Sequence, residues 1–419
     1  MTVESQALEM AQRAQRARQD AADRSAAERS SALTAIATAI ETAMPAILAA
    51  NASDMDVARD HGRPPAFLDR LMLDEARLGE IAAAVRQIAE QNDPLGEVIE
   101  HWQAPSGVDI HQVRVPIGVL GVIFEARPNV TADAAALAVR SGNAVLLRSG
   151  SDSLQSAQAL VAAIRTGLQH AGFPADLVQH PDTADRAFVG AMLSGLEGQL
   201  DLVIPRGGKA LVARVQAEAR IPVLGHLDGI CHAYLHPSAD PDMARDIILN
   251  AKLRRTGVCN ALECLLVDRA ALETHWKPIA RALADAGCEL RADDALRSVF
   301  PDAVAAQDSD WGQEFLDAIL AARVVDGLDE AMAHIARYGS GHTDLVLAAD
   351  ASIQERFLNS VDSAVVIANA STGFSDGGEF GFGAEIGIAT SRLHARGPVG
   401  ARQLTSYKYV VRGQGEVRG

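Results

Sequence analysis

From Pro116 onward the chain alternates short apolar runs with longer amphipathic ones. GVLGVIFEA (118–126) reads as a buried strand, 131–141 as a helix capped by Thr131, AVLLR (144–148) as a strand and 153–171 as a helix. DLVIP (201–205) adds a strand that leads through Gly207-Gly208 into a helix ending at Ala219. Such alternation predicts a doubly wound parallel sheet. A second α/β set follows from Val223 to about Val366, with strands near Val223, Leu262, Val324 and Leu345. Upstream, residues 4–50 are Ala-rich with apolar positions at helical spacing, and 67–92 give a further helical pair. Between these and Pro116, VIEHW and VDIHQVRV alternate at period two, the pattern of a hairpin. Residues 369–400 are rich in Gly, Ser and Asn, too long a stretch for a passive connection.

Composition narrows the function classes. With 419 residues, 48% of them hydrophobic, the chain is long enough for two or three domains with sizeable cores. A net charge of −16 and the lack of any basic block argue against a nucleic-acid binder. No apolar run approaches the roughly 20 residues of a membrane span, and the start of the chain lacks a signal-peptide core. Cys231, Cys259, Cys264 and Cys288 form no CxxC pair, which fits thiols in a reducing, cytoplasmic setting. The expectation is a soluble cytoplasmic protein without metal, since the twelve His show no ligand spacing.

One stretch stands out chemically. RRTGVCNALECLLV (254–267) places Cys259 after a turn and before an apolar strand, close to Arg254 and Arg255. Nearby cations favour a thiolate, the form that acts as nucleophile; a buried structural Cys is the competing reading. IPRGGK (204–209) joins strand to helix through two glycines flanked by Arg206 and Lys209, an arrangement that suits a phosphate or a plain turn. GFGAEIG (381–387) lacks the spacing and the preceding strand of a dinucleotide fingerprint. No GxSxG elbow is present.

Together, VPIGVLGVIFEARPNVT (115–131), GNAVLLRSGSDS (142–153), IPRGGKALV (204–212), GHLDGICH (225–232), RRTGVCNALE (254–263) and GFGAEIGIATSRLHARGPVG (381–400) resemble the aldehyde dehydrogenase superfamily. Within it, the likeness is strongest to the gamma-glutamyl phosphate reductase family. The resemblance spans nearly the whole chain. It implies an aldehyde-dehydrogenase-like fold of two doubly wound α/β domains with an oligomerisation β-flap. The dinucleotide-binding domain would comprise 1–96 and 116–224, and the catalytic domain 225–368. Residues 97–115 and 369–419 would supply the oligomerisation hairpin, the substrate loop and the C-terminal return. It also implies a homodimer or dimer of dimers, and functional contact with glutamate 5-kinase.

The chemistry it implies is NADPH-dependent reduction of L-glutamate 5-phosphate to L-glutamate 5-semialdehyde, in proline biosynthesis, through a thioester on Cys259. Asn129 would donate to the oxyanion, although an ungapped alignment puts Arg127 in that slot, and Arg127 would then suit a substrate carboxylate or phosphate. His226 stands where hydrolytic members carry a Glu; an enzyme that must not hydrolyse its thioester has no use for that base, and His226 would handle protons or merely line a cleft. Arg148 and Ser151 replace a Lys and a Glu near the adenosine ribose, a combination that favours NADP over NAD. Arg206, Gly207 and Gly208 would serve the cofactor's phosphates, and Glu314 its nicotinamide ribose, against the alternative of an exposed helix Glu. Ser371, Thr372 and Arg392 are the candidates for gripping substrate. The alternatives are a hydrolytic semialdehyde dehydrogenase, which His226 opposes, and a non-catalytic superfamily member, which an intact Cys259 opposes.

Overall fold

The computed structural model describes residues 2–418 as two compact units. The first comprises Met1–Gly225, Gly381–Gly387 and Val399–Gly419; the second comprises His226–Phe380 and Ile388–Pro398. The hairpin region 97–115 thus groups with the first unit, while 369–419 is divided between the two.

In the first unit, Val119–Phe124 and Ala144–Ser149 are buried along their whole length, as strands must be when helices cover both faces of a parallel sheet. The sheet order is Val178–Gln179, Ala144–Ser149, Val119–Phe124, Leu202–Arg206, all parallel. The chain winds outward from Val119–Phe124 in one direction, then returns to place Leu202–Arg206 on the other side of that strand. Ligands of such sheets bind at the carboxyl ends where the winding reverses. Val223 does not begin a strand: it forms one isolated parallel bridge to Val203, since Pro222 before it has no N–H to donate. Nor does Thr131 cap its helix. Pro128 takes the N-cap position with φ −57°, the helix runs Asn129–Arg140, and Thr131 is buried on its flank.

The predicted hairpin forms from Val98–Gln103 and Asp109–Pro116, and Thr405–Arg412 pairs antiparallel with the second of these strands. Among the described residues no single helix is long and apolar enough to cross a membrane.

The second unit is built on a seven-stranded sheet, wholly parallel. Its order is Val304–Ala305, Glu289–Ala292, Ile319–Val325, Leu262–Asp268, Cys231–Leu235, Thr343–Leu347, Val365–Ala368. Side chains alternate between two cores, as a strand's period of two requires. Ala233, Leu235, Leu265 and Val267 face a layer containing Ile248, Trp276 and Ile279. Tyr234, Leu266 and Val346 face Leu328, Ile335 and Phe357 on the other side.

Candidate active site

The loop bearing Cys259 hangs between the helix Pro241–Leu253 and the strand Leu262–Asp268. Its two ends are tied by a salt bridge of 2.6 Å between Lys252, on the last helical turn, and Glu263, on the strand, both fully buried. Burial pushes the Glu263 carboxyl up to about 7 even with the Lys252 cation opposing it. Between these anchors Cys259 is partly exposed, while Cys231, Cys264 and Cys288 are buried. The Cys231 thiol donates to the Cys259 carbonyl at 3.3 Å. Gly229 lies against the same carbonyl so closely that a Cβ on it would sit 2.0 Å from the oxygen. Only glycine permits that approach. The Gly229 N–H in turn donates to Glu314 Oε1 at 2.9 Å. Glu314 is therefore no helix residue: it follows the short turn Asp308–Gly312 in irregular backbone and anchors the segment beside Cys259.

Strand order explains which side chains gather here. Cys231–Leu235, Leu262–Asp268 and Thr343–Leu347 are neighbours, and His226, Cys259 and His342 all lie just before the amino ends of these three strands. One nitrogen of each imidazole and the Cys259 sulfur fall within 4.8 Å of one another, and the two rings meet edge to face with centroids 4.9 Å apart. His226 Nδ1 is 2.7 Å from the Ile388 carbonyl, which can only accept, so in the neutral ring Nε2 carries the lone pair. His342, far along the sequence, is a site residue that sequence reasoning misses. Its only local signal is a histidine at a strand's entry, which is too common to single out.

The 371–375 turn packs on this arrangement. The Asn260 side-chain amide donates to the Ser375 carbonyl at 3.0 Å, and Thr343 Oγ1 donates to Ser375 Oγ at 2.9 Å. Ser371 caps the turn by accepting from the Gly373 N–H. Thr372 is fully buried, with a hydroxyl that has no partner among the described residues. Arg392 instead pairs with Asp362 at the surface, 78% exposed.

Apart from Glu314, the cofactor candidates lie in the first unit, at the carboxyl ends of the two strands that flank Val119–Phe124. Arg148 is buried near the end of its strand and donates to the Ser149, Ala184 and Asp185 carbonyls, leaving its Nε without a partner among the described residues. Ser151 is exposed just beyond. His180 accepts from the Ser149 N–H at 3.2 Å; burial first, and the Arg148 cation after it, push this imidazole down to about 4, so it acts as a neutral acceptor. Across the reversal point, Arg206, Gly207 and Gly208 lead into the helix Lys209–Glu218, and the Gly208 N–H donates to the Glu125 carboxylate at 3.2 Å. An anionic group thus already sits at that helix N-terminus. Gly387, at φ +145°, brings the 381–387 segment against Arg206, whose Nε is likewise unpartnered among the described residues.

Asn129 opens its helix and donates one amide hydrogen to Asp133 at 3.0 Å. Burial pushes the Asp133 carboxyl up to about 6 against the pull of Asn129 and Arg206. Arg127 is half-buried on the preceding turn, where Ala126 holds a left-handed φ of 47°. The predicted residues thus fall into two groups. Cys259, His226, Glu314, Ser371, Thr372 and Arg392 lie in the second unit, whereas Asn129, Arg127, Arg148, Ser151 and Arg206–Gly208 share the sheet ends of the first.

Residues 2–299 match the model of the aldehyde dehydrogenase family. The chain is 57% identical over 392 residues to the gamma-glutamyl phosphate reductase of Caulobacter sp. (strain K31), covering 94% of each protein. It is 55% identical over 411 residues to that of Hyphomonas neptunium, covering 98% of this chain and 96% of the other. The crystal structure of gamma-glutamyl phosphate reductase from Thermotoga maritima matches with a TM-score of 0.96 at 42% identity, over 99% of this chain and 100% of that one. A fold, a family match and relatives that agree over this length have one reading: the chain belongs to the aldehyde dehydrogenase family and, within it, to the gamma-glutamyl phosphate reductases.

Proposed function

We propose that this protein reduces L-glutamate 5-phosphate to L-glutamate 5-semialdehyde and phosphate, with NADPH, in proline biosynthesis. The observation that carries the reading is Cys259, partly exposed in a loop tied at both ends and grouped, among the described residues, with two imidazoles and no carboxylate within 4.8 Å. Its sulfur attacks the acyl carbon, the carbonyl becomes an oxyanion, and phosphate leaves as the thioester forms. The Cys259 N–H and one amide hydrogen of Asn129 are the donors proposed for that oxyanion. His226 or His342 accepts the thiol proton through Nε2. Without a Glu to activate water, the thioester survives until it is reduced. Bound NADPH would supply the hydride for that reduction.

The first unit suits such a cofactor. Arg148 and Arg206 bring cationic groups to the ends of the two strands that flank Val119–Phe124, each with a buried Nε that is unpartnered among the described residues. Ser151 puts no negative charge beside a 2′-phosphate. Arg148, whose Nη donors are engaged by carbonyls, would act on that phosphate through its charge. The Ser371-Thr372 turn would hold the substrate's amino-acid end.

The reverse reaction tests this reading. With L-glutamate 5-semialdehyde and NADP, NADPH should accumulate only when inorganic phosphate is present. An equal rate without phosphate would establish hydrolysis of the acyl-enzyme instead, and no turnover by folded protein would leave the non-catalytic alternative.

We also propose self-association through the hairpin sheet. Tyr407, Tyr409 and Val411 project from one face of Thr405–Arg412, each more than 50% exposed, and Trp102 meets Tyr409 at 6.0 Å between ring centroids. An exposed apolar row of this kind marks an interface. Sedimentation velocity should show a dimer or larger, and Tyr409→Glu should shift it toward monomer; a monomeric wild type would end the idea.

A further inference from the structure

We propose that His226, Cys259 and His342 bind a divalent transition ion of the Zn2+ class, which caps the nucleophile reversibly. Two nitrogens and one sulfur are the donor set that borderline and soft ions such as Zn2+ prefer. Three protein ligands leave a fourth position for water. In a tetrahedral site, bonds of about 2.0 Å to nitrogen and 2.3 Å to sulfur place donors roughly 3.5 Å apart. The three donor atoms here lie within 4.8 Å of one another, so side-chain rotations that move each by about an ångström close the site.

His342 supplies the second, independent observation. It is fully buried, and its Nε2 has no hydrogen-bond partner among the described residues. Its Nδ1 is 2.9 Å from Thr343 Oγ1, whose own hydrogen goes to Ser375 Oγ. With Nδ1 donating to Thr343 Oγ1, Nε2 carries the lone pair, the state a metal ligand needs. The same tautomer is set in His226 by the Ile388 carbonyl. Fixing the far nitrogen of each imidazole in this way is how ligating histidines are held.

Two other groups have comparable spacing and make useful contrasts. His232, Cys264 and His334 are within the same distance of one another, but at 0%, 1% and 5% exposure they are closed to solvent. His101, Asp109 and His111 are accessible on the hairpin but offer no sulfur. Among the described residues, only the group at Cys259 combines a thiol with access. As the sulfur–metal bond forms, the thiol proton passes to solvent, and neither metal nor sulfur changes oxidation state.

The test is an anaerobic titration of the chelator-treated full chain with Co2+, a spectroscopic substitute for Zn2+, followed by displacement with Zn2+. We expect one equivalent to give a near-ultraviolet thiolate-to-cobalt band together with visible bands of tetrahedral intensity. Both should be lost in Cys259→Ser, and the affinity should fall at least tenfold in His342→Gln. His226→Gln serves as the second variant if His342→Gln does not fold by circular dichroism. A thiolate band that survives Cys259→Ser would assign the ion to Cys264 and overturn the proposal. Weak octahedral bands alone would place it on the hairpin, with the same consequence. Loss in Cys259→Ser with unchanged affinity in both histidine variants would reduce it to a simple thiol adduct. Inhibition of turnover rests on Cys259 being the nucleophile, whereas the titration does not, so the two readings fail separately.

Discussion

Gly229→Ala lowers kcat by about two orders of magnitude while the protein remains folded. The added Cβ would lie 2.0 Å from the Cys259 carbonyl oxygen and 2.6 Å from its carbonyl carbon and Cα. These are backbone atoms, and no rotamer change relieves the clash, so the loop or the Gly229 strand approach must move by more than an ångström. A displacement of that size at a reacting atom costs on the order of 100-fold. The Cys259 N–H moves with the sulfur, so any oxyanion contact it makes is misplaced at the same time. The Glu314 carboxylate, holding the Gly229 N–H, resists movement on the glycine side and directs the shift to Cys259. Gly257 is the matched control: it lies two residues from Cys259, yet a Cβ there meets nothing within 4 Å. Gly257→Ala should keep kcat within about threefold, as expected where a methyl group enters open space. Steady-state kinetics on both variants decide the matter. A Gly229→Ala protein with more than a third of wild-type kcat would remove the argument, and equal damage from Gly257→Ala would shift the cause to loop flexibility.

What the sequence could not express was distance in space. The loop carrying Cys259 is legible because helix, turn, thiol and strand are contiguous, and the parallel sheets are legible because their strands are continuous apolar runs. His342 is not, because only the order of three neighbouring strands brings it beside Cys259. The role of Gly229 is hidden for the same reason: its constraint is the backbone of another segment, not its own φ. Arg148 reads as a cation poised for phosphate, but its Nη atoms are spent on three carbonyls, a use of arginine that has no sequence signature. Thr131 is a standard capping residue, overridden because Pro128 fixes the first helical φ three residues earlier. The 381–387 glycines fail as a fingerprint and yet pack on Arg206, through a φ that only glycine adopts readily.

Lys252→Met should destabilise the protein by about 3–5 kcal/mol at pH 9 and by far less at pH 6, a range set by what removing one partner of a buried pair costs. The pH dependence follows from Glu263. In the wild type its folded-state carboxyl stands near 7, above an unfolded value of 4.5. Between those values the folded chain holds a proton that the unfolded chain has released, so stability falls as pH rises and levels off above 7. Without the Lys252 cation the folded value moves higher still. The two proteins therefore lose stability in parallel up to about pH 7, and beyond it only the variant continues, by at most ~1.4 kcal/mol per pH unit. Below pH 6 both hold a neutral carboxyl, and Met fills the space of the lysine stem without a buried charge. Adding Glu263→Leu removes the stranded acid, and the double variant should recover most of the loss at pH 9, since an apolar pair can replace a buried ion pair. Urea denaturation of the three proteins at pH 6 and pH 9 supplies the numbers. Equal penalties at the two pH values, or a double variant no more stable than the single one, would mean that the pair is not what ties the ends of the loop bearing Cys259. If the prediction holds, the loop bearing Cys259 is fixed by a charge pair whose strength is fully expressed only where Glu263 is ionised.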